Sequence, residues 1–124
     1  MIKQVTFGTK GRKKLKKGAD TIANAVKVTL GQAGRNVLIS SGWDYFNSTK
    51  DGVTVAKSIY VSDQVENVGA NIIREAAIKT VYDAGDGTTS STVLCQAIIE
   101  RGMEALERGA NPVELKNGIE KAVK

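Results

Sequence analysis

Leu15, Ala19, Ile22, Val26 and Leu30 follow one another at steps of three and four, which stacks them on one face of a helix. Gly31 supplies a stop for that helix, and the short piece before it, Ile2 to Phe7, alternates apolar and polar residues. Gly34 leads into Asn36-Val37-Leu38-Ile39-Ser40, a β-favouring run broken by Ser40-Ser41-Gly42, which predicts one arm of a small hairpin. A second helical face carries Val65, Val68, Ile72, Ile73, Ala76, Ala77 and Thr80, with Glu66, Arg74, Glu75 and Lys79 toward solvent and an end near Gly85. The third begins near Thr88, carries Val93, Leu94, Ala97, Ile98, Ala105 and Leu106, and stops at Gly109. Asn111-Pro112-Val113-Glu114 then offers an N-cap, a proline at the first helical position and an acidic first turn. The fourth helix holds Leu115, Ile119 and Val123 and reaches Lys124 without a terminator, so the pattern predicts continuation, either in a longer chain or by a complementary one.

The expected fold is mainly α, multihelical, with a small β-hairpin or stem-loop. Composition supports this: 41% of the 124 residues are hydrophobic and 25% charged, within the range of one globular domain, and the apolar content is aliphatic rather than aromatic. Half of the aromatic residues, Trp43, Tyr45 and Phe46, fall together before the polar stretch Asn47 to Gly52. Such a loop either presents a contact surface to another chain or folds back on its own core, and the sequence leaves both open.

The net charge of +5 arises largely from Lys10, Arg12, Lys13, Lys14, Lys16 and Lys17. A solvated helix face explains this run more simply than nucleic acid or an acidic membrane, because no aromatic residues interleave with the lysines. With Cys95 as the single cysteine and no histidine, a disulfide framework, a Cys/His zinc site and histidine acid–base catalysis within this chain are excluded, and a buried thiol is expected. No stretch has membrane-spanning length or the form of a leader peptide, which fits the cytoplasm or another reducing compartment.

Ala84-Gly85-Asp86-Gly87-Thr88-Thr89-Ser90-Ser91-Thr92 joins a flexible backbone to a helix start crowded with hydroxyls. Glycines let the main chain approach an anion, the first free amides of the helix point at it, and the hydroxyls add neutral donors. A carboxylate beside phosphate is repulsive unless a cation joins them, which makes Asp86 the candidate magnesium ligand. The alternative is an ordinary turn whose Asp and Thr only cap a helix. The loop lacks the Gly-Lys-Ser/Thr ending of a Walker A motif. Thr29-Leu30-Gly31 and Lys50-Asp51-Gly52 are further loop candidates, each weak alone.

In order, Val26-Lys27-Val28-Thr29-Leu30-Gly31, Gly34-Arg35-Asn36-Val37, Thr49-Lys50-Asp51-Gly52-Val53-Thr54-Val55-Ala56 and Ala84-Gly85-Asp86-Gly87-Thr88-Thr89 closely resemble the group I chaperonins. Glu66-Asn67-Val68-Gly69-Ala70 and Gly109-Ala110-Asn111-Pro112 extend the resemblance over essentially the whole chain. It implies that residues 1–124 are the N-terminal segment of an equatorial ATP-binding domain, with the apical domain and the second equatorial half lying beyond Lys124. It further implies ATP and Mg2+ as ligands, with Thr29, Leu30 and Gly31 lining the nucleotide pocket and Lys50 near the phosphates. Asp51 would assist hydrolysis, Asp86 would hold magnesium, and Gly87, Thr88, Thr89 and Ser90 would cradle phosphates. The implied partners are the rest of the subunit or a complementary chain, neighbouring ring subunits, and unfolded client proteins.

Three departures from the family pattern stand out. Gln32-Ala33 replaces the usual Pro-Lys, removing loop rigidity and a positive charge, which implies weaker nucleotide binding. Ser90 replaces Thr but keeps the hydroxyl, and Trp43-Asp44-Tyr45-Phe46 replaces a plainer stem-loop that would touch a neighbouring subunit. The family is a magnesium-dependent ATPase whose catalytic carboxylate in the intermediate domain is not in this chain, so binding without turnover is one expectation. The alternatives are a non-enzymatic interaction module or a split-subunit fragment on the same scaffold, and nucleic-acid binding through the basic N-terminal run.

Overall fold

The computed structural model describes residues 3–124 and contains five helices and one two-stranded sheet among them. In chain order these are α1 (Gly8–Lys27), β1 (Val37–Ser40), β2 (Phe46–Thr49), α2 (Gly52–Ser58), α3 (Gln64–Ala84), α4 (Thr88–Glu107) and α5 (Pro112–Val123). The expected mainly α fold with a small hairpin is the observed one. Ile2, which opens the alternating N-terminal piece, lies outside the described residues, and Lys3–Phe7 forms no strand.

The long helices α1 and α3 share the most extensive contact in the molecule. Two glycines make it possible. A Cβ on Gly18 would stand 1.7 Å from Glu66 O, and one on Gly69 would stand 1.9 Å from Leu15 O, so each helix backbone rests directly on the other. Around this crossing lies the core: Ala19, Ile22, Ala23 and Val26 from α1, Val55 and Ala56 from α2, and Ala70, Ile73 and Ala77 from α3. Polar ties flank it. Lys14 pairs with Asp63 and Lys17 Nζ reaches Glu66 Oε1 at 2.8 Å, both from α1 to the start of α3, while Lys16 Nζ meets Asp20 Oδ2 at 2.6 Å and Glu100 Oε1 at 3.7 Å. Three of the six basic residues of the run, Lys14, Lys16 and Lys17, are therefore paired with acidic partners.

The electrostatics follow these pairs. The bond from Lys14, with backbone amides of α3, holds the Asp63 carboxyl below its usual value, and Asp20 and Glu66 hold Lys16 and Lys17 above theirs. Burial alone would raise Asp20, but bonds from Lys16 and Gln96 outweigh it and leave Asp20 lowered. Burial also raises the thiol of Cys95, which is half-buried rather than fully enclosed.

Several element boundaries and faces differ from the sequence expectation. α1 ends at Lys27, so Leu30 sits in the following turn and is 47% exposed instead of continuing the buried stripe. Val68 and Ile72 point outward, because the close approach at Gly69 turns Ala70, Ile73 and Ala77 inward. On α4 the expected apolar face is largely exposed at Leu94 and Ile98, and the buried positions are Thr88, Thr92 and Gln96. Gln96 Nε2 donates to Asp20 Oδ1 at 2.7 Å and Asn24 Oδ1 at 3.2 Å, a polar seam that replaces apolar packing between α1 and α4.

Phe46 to Thr49, expected in a loop, form β2 and pair antiparallel with β1 in a register running from Val37 opposite Thr49 to Ser40 opposite Phe46. The connecting loop is thus only Ser41 to Tyr45, closed by Ser41 N donating to Tyr45 O at 2.9 Å. The aromatics of the hairpin do not fold back: Trp43 is 99% exposed, and Tyr45 and Phe46 are also open to solvent. The helix ends at Gly85 and the Asn111 cap fall where expected, with Asn111 Oδ1 accepting from Val113 N at 2.9 Å.

Candidate functional site

Three chain reversals meet at one end of α1. The first is Thr29–Gly31, where α1 has ended and Thr29 N and Oγ1 both bond back to Val26 O, at 3.0 and 2.8 Å. The second is the start of α2, whose N-cap is Asp51: its Oδ2 accepts from Thr54 N at 3.0 Å and also from Thr54 Oγ1. The third is the turn Gly85–Gly87 between α3 and α4. Together they enclose a cavity of about 600 Å³ whose walls also include Val53 and Val81.

The turn into α4 is built to leave donors free. Gly87 is the N-cap of α4 at φ +86°, in the left-handed region that favours glycine, and it offers no side-chain cap to the amides that follow. The first intrahelical bond is Ser91 N to Gly87 O at 2.9 Å, so the amides of Thr88, Thr89 and Ser90 precede the ladder and face the cavity end of a 20-residue helix. That is the physical make-up of an anion site.

Gly87 N donates to Asp86 Oδ1 at 2.6 Å, which pins one oxygen of that carboxylate and leaves Oδ2 without a bond among the described residues. Asp51 is held in the same manner, one oxygen on α2 and the other without a bond among the described residues. Thr29 Oγ1 and Thr89 Oγ1 lie 3.0 Å apart across the floor of the cavity. Gly52 permits this, since a Cβ there would approach Thr89 Oγ1 to 2.8 Å.

Every residue singled out as a site candidate lines this one cavity: Thr29, Leu30, Gly31, Lys50, Asp51, Asp86, Gly87, Thr88, Thr89 and Ser90. Sequence reasoning missed Thr54, although an Asp followed three residues later by Thr is a capping spacing, and missed Val81, which lies one turn before Gly85. Among the described residues no group of three or more His, Cys, Asp or Glu side chains converges as a protein-only metal cage. One or two carboxylates beside an anion suit a magnesium ion, which keeps waters and takes phosphate oxygens as ligands.

Known proteins share this fold. Two crystal forms of the chaperonin gp146 from bacteriophage EL 2 (Pseudomonas aeruginosa), both obtained in the presence of ATP-BeFx, match at 36% identity with TM-scores of 0.68 and 0.67. Each match covers 73% of this chain and 16% of the phage protein, so the chain spans well under a fifth of that relative's length. Residues 22–124 match the TCP-1/cpn60 chaperonin family, and since that covers most of the sequence and contains all three reversals around the cavity, the chain belongs to that family.

Proposed function

We propose that the chain forms a magnesium-dependent ATP-binding site within a group I type chaperonin subunit, as the N-terminal part of its equatorial domain. The observation that carries this is the meeting of Thr29–Gly31, Lys50–Val53 and Gly85–Ser90 around one cavity at the N-terminus of α4. The amides of Thr88, Thr89 and Ser90 bind phosphate oxygens, and Lys50 adds a positive charge at the rim. Asp86, through its unengaged Oδ2, would hold magnesium, and the ion would supply neutralisation of phosphate charge. Asp51, its orientation fixed by Thr54, is placed to accept a proton from a water or to orient it. The gp146 structures obtained with ATP-BeFx support the nucleotide assignment by likeness. In a full subunit the bound nucleotide would drive conformational change that assists folding of client proteins, with neighbouring ring subunits as partners.

Calorimetric titration with ATP, with and without magnesium, tests the reading on this chain and on its Asp86→Ala variant. Magnesium-dependent binding in the parent chain, weakened by roughly tenfold or more in the variant, is the expected result. A folded parent chain that binds no Mg·ATP sinks it. A second reading, a partner-binding module on the chaperonin scaffold, is favoured by the fully exposed Trp43 at the hairpin tip. Partner capture that ignores nucleotide would distinguish it.

A further inference from the structure

Proton counting assigns a direction to the contact between Thr29 and Thr89. A threonine hydroxyl carries one proton. Either oxygen could donate in the 3.0 Å contact, but with the Thr29 proton on Val26 O at 2.8 Å both hydroxyl protons are used only if Thr89 donates to Thr29, and we assign the bond in that sense. Thr89 is the donor, and its single proton is engaged by Thr29.

This engagement is part-buried. Thr29 is 6% exposed, and Gly52 closes in on Thr89 from the other side. Thr88 Oγ1 and Ser90 Oγ make no hydrogen bond among the described residues, so their protons are free. The three hydroxyls at the start of α4 are therefore not equivalent donors. An anion that draws a bond from Thr89 has to remove its proton from Thr29 and leave a buried oxygen one bond short.

We infer that Thr29 is a positioning residue that restrains the Thr89 hydroxyl and lowers the affinity of the site for phosphate oxygens, an inference that rests on the nucleotide reading above. The pair sets a threshold: a ligand must supply enough other contacts, from the α4 amides and a bridging cation, to break it. Ligands with a single weakly held anionic group are disfavoured relative to a polyphosphate.

The consequence has the opposite sign to losing a contact residue. Thr29→Val keeps the branched shape, leaves Val26 O its bond from Thr29 N at 3.0 Å, and frees the Thr89 proton. Mg·ATP should bind about two- to tenfold more tightly to this variant. Thr89→Val should bind more weakly than the parent chain, and Thr29→Ser should return parental affinity. The decisive experiment pairs calorimetric Mg·ATP titrations of these variants with a ligand-free double-mutant cycle in thermal unfolding. Coupling between the two threonines in the cycle, with tighter binding by Thr29→Val and recovery by Thr29→Ser, is the expected result. Weaker or unchanged binding by a folded Thr29→Val overturns the restraint while leaving the nucleotide site standing, as does an absence of coupling. A folded parent chain that shows coupling but binds no Mg·ATP overturns the nucleotide reading and the restraint with it.

Discussion

A single methyl group at Gly18 or Gly69 would be forced into carbonyl oxygens of the facing helix, at 1.7 and 1.9 Å. Neither neighbour can yield, because each is main chain inside a hydrogen-bonded helix. Gly69→Ala should therefore cost at least about 3 kcal/mol, beyond ordinary overpacking, and urea unfolding will show it as a lower midpoint. A parental midpoint would mean that α1 and α3 slide apart at little cost. Asp63 makes a second residue-scale prediction. Its carboxyl, held low by Lys14 and the α3 amides, stabilises the fold above the ordinary carboxylate value of 3.8, and that contribution disappears as pH falls through its lower folded value. Asp63→Asn keeps an N-cap and removes the charge. Its deficit in unfolding free energy should be present at neutral pH and should shrink as pH falls below 3.8 through the lower folded value; a deficit independent of pH would assign the role of Asp63 to capping alone.

At the scale of elements, α2 is the piece most dependent on its surroundings. Seven residues do not sustain a helix in water, so its two ends are held from outside. Asp51 caps the beginning, and at the far end Arg74 on α3 donates to Ala56 O at 3.2 Å and Ile59 O at 2.6 Å while lying over the Tyr60 ring. Arg74→Met should cost roughly 1.5–3 kcal/mol in urea unfolding, with Arg74→Lys recovering only part, because an ammonium cannot reproduce the fork. Full recovery by lysine would make charge alone the cause. The same dependence explains why the sequence did not disclose α2: Lys50-Asp51-Gly52 carries turn residues, and the helix after it is too short for a periodic signal. Strong local chemistry was readable, as at Asn111-Pro112, at Gly85, and in the glycine turn that lines the cavity. The inner face of α4 was not, since Thr88, Thr92 and Gln96 are polar, and Gln96 is accommodated there because Asp20 and Asn24 of α1 receive it across the seam. Partner residues far away in sequence decide such a face, and periodicity does not register them.

Over the whole molecule, stability is concentrated where α1, α2 and α3 meet and falls away toward the chain's second half. Every side chain of the apolar core comes from those three helices. α4 joins them through its polar seam and through Cys95 and Ile99, whereas α5 buries no residue and rests on α4 chiefly through the half-buried Leu115 near Gly102. A helix of 12 residues with a good cap but no buried face opens locally at little cost. Native-state hydrogen exchange should therefore show α5 amides exchanging first, through openings insensitive to low concentrations of urea. Amides around Ile22 and Ile73, both fully buried, should exchange last and with the urea dependence of global unfolding. Magnesium and ATP should slow exchange in the Gly85–Ser90 turn and at the start of α4 while leaving α5 unchanged, because ligation adds bonds at the cavity and none to α5. If α5 proved as protected as α3 in dilute monomer, the cooperative unit would extend past the apolar core, and the exposed α5 face would have to be covered.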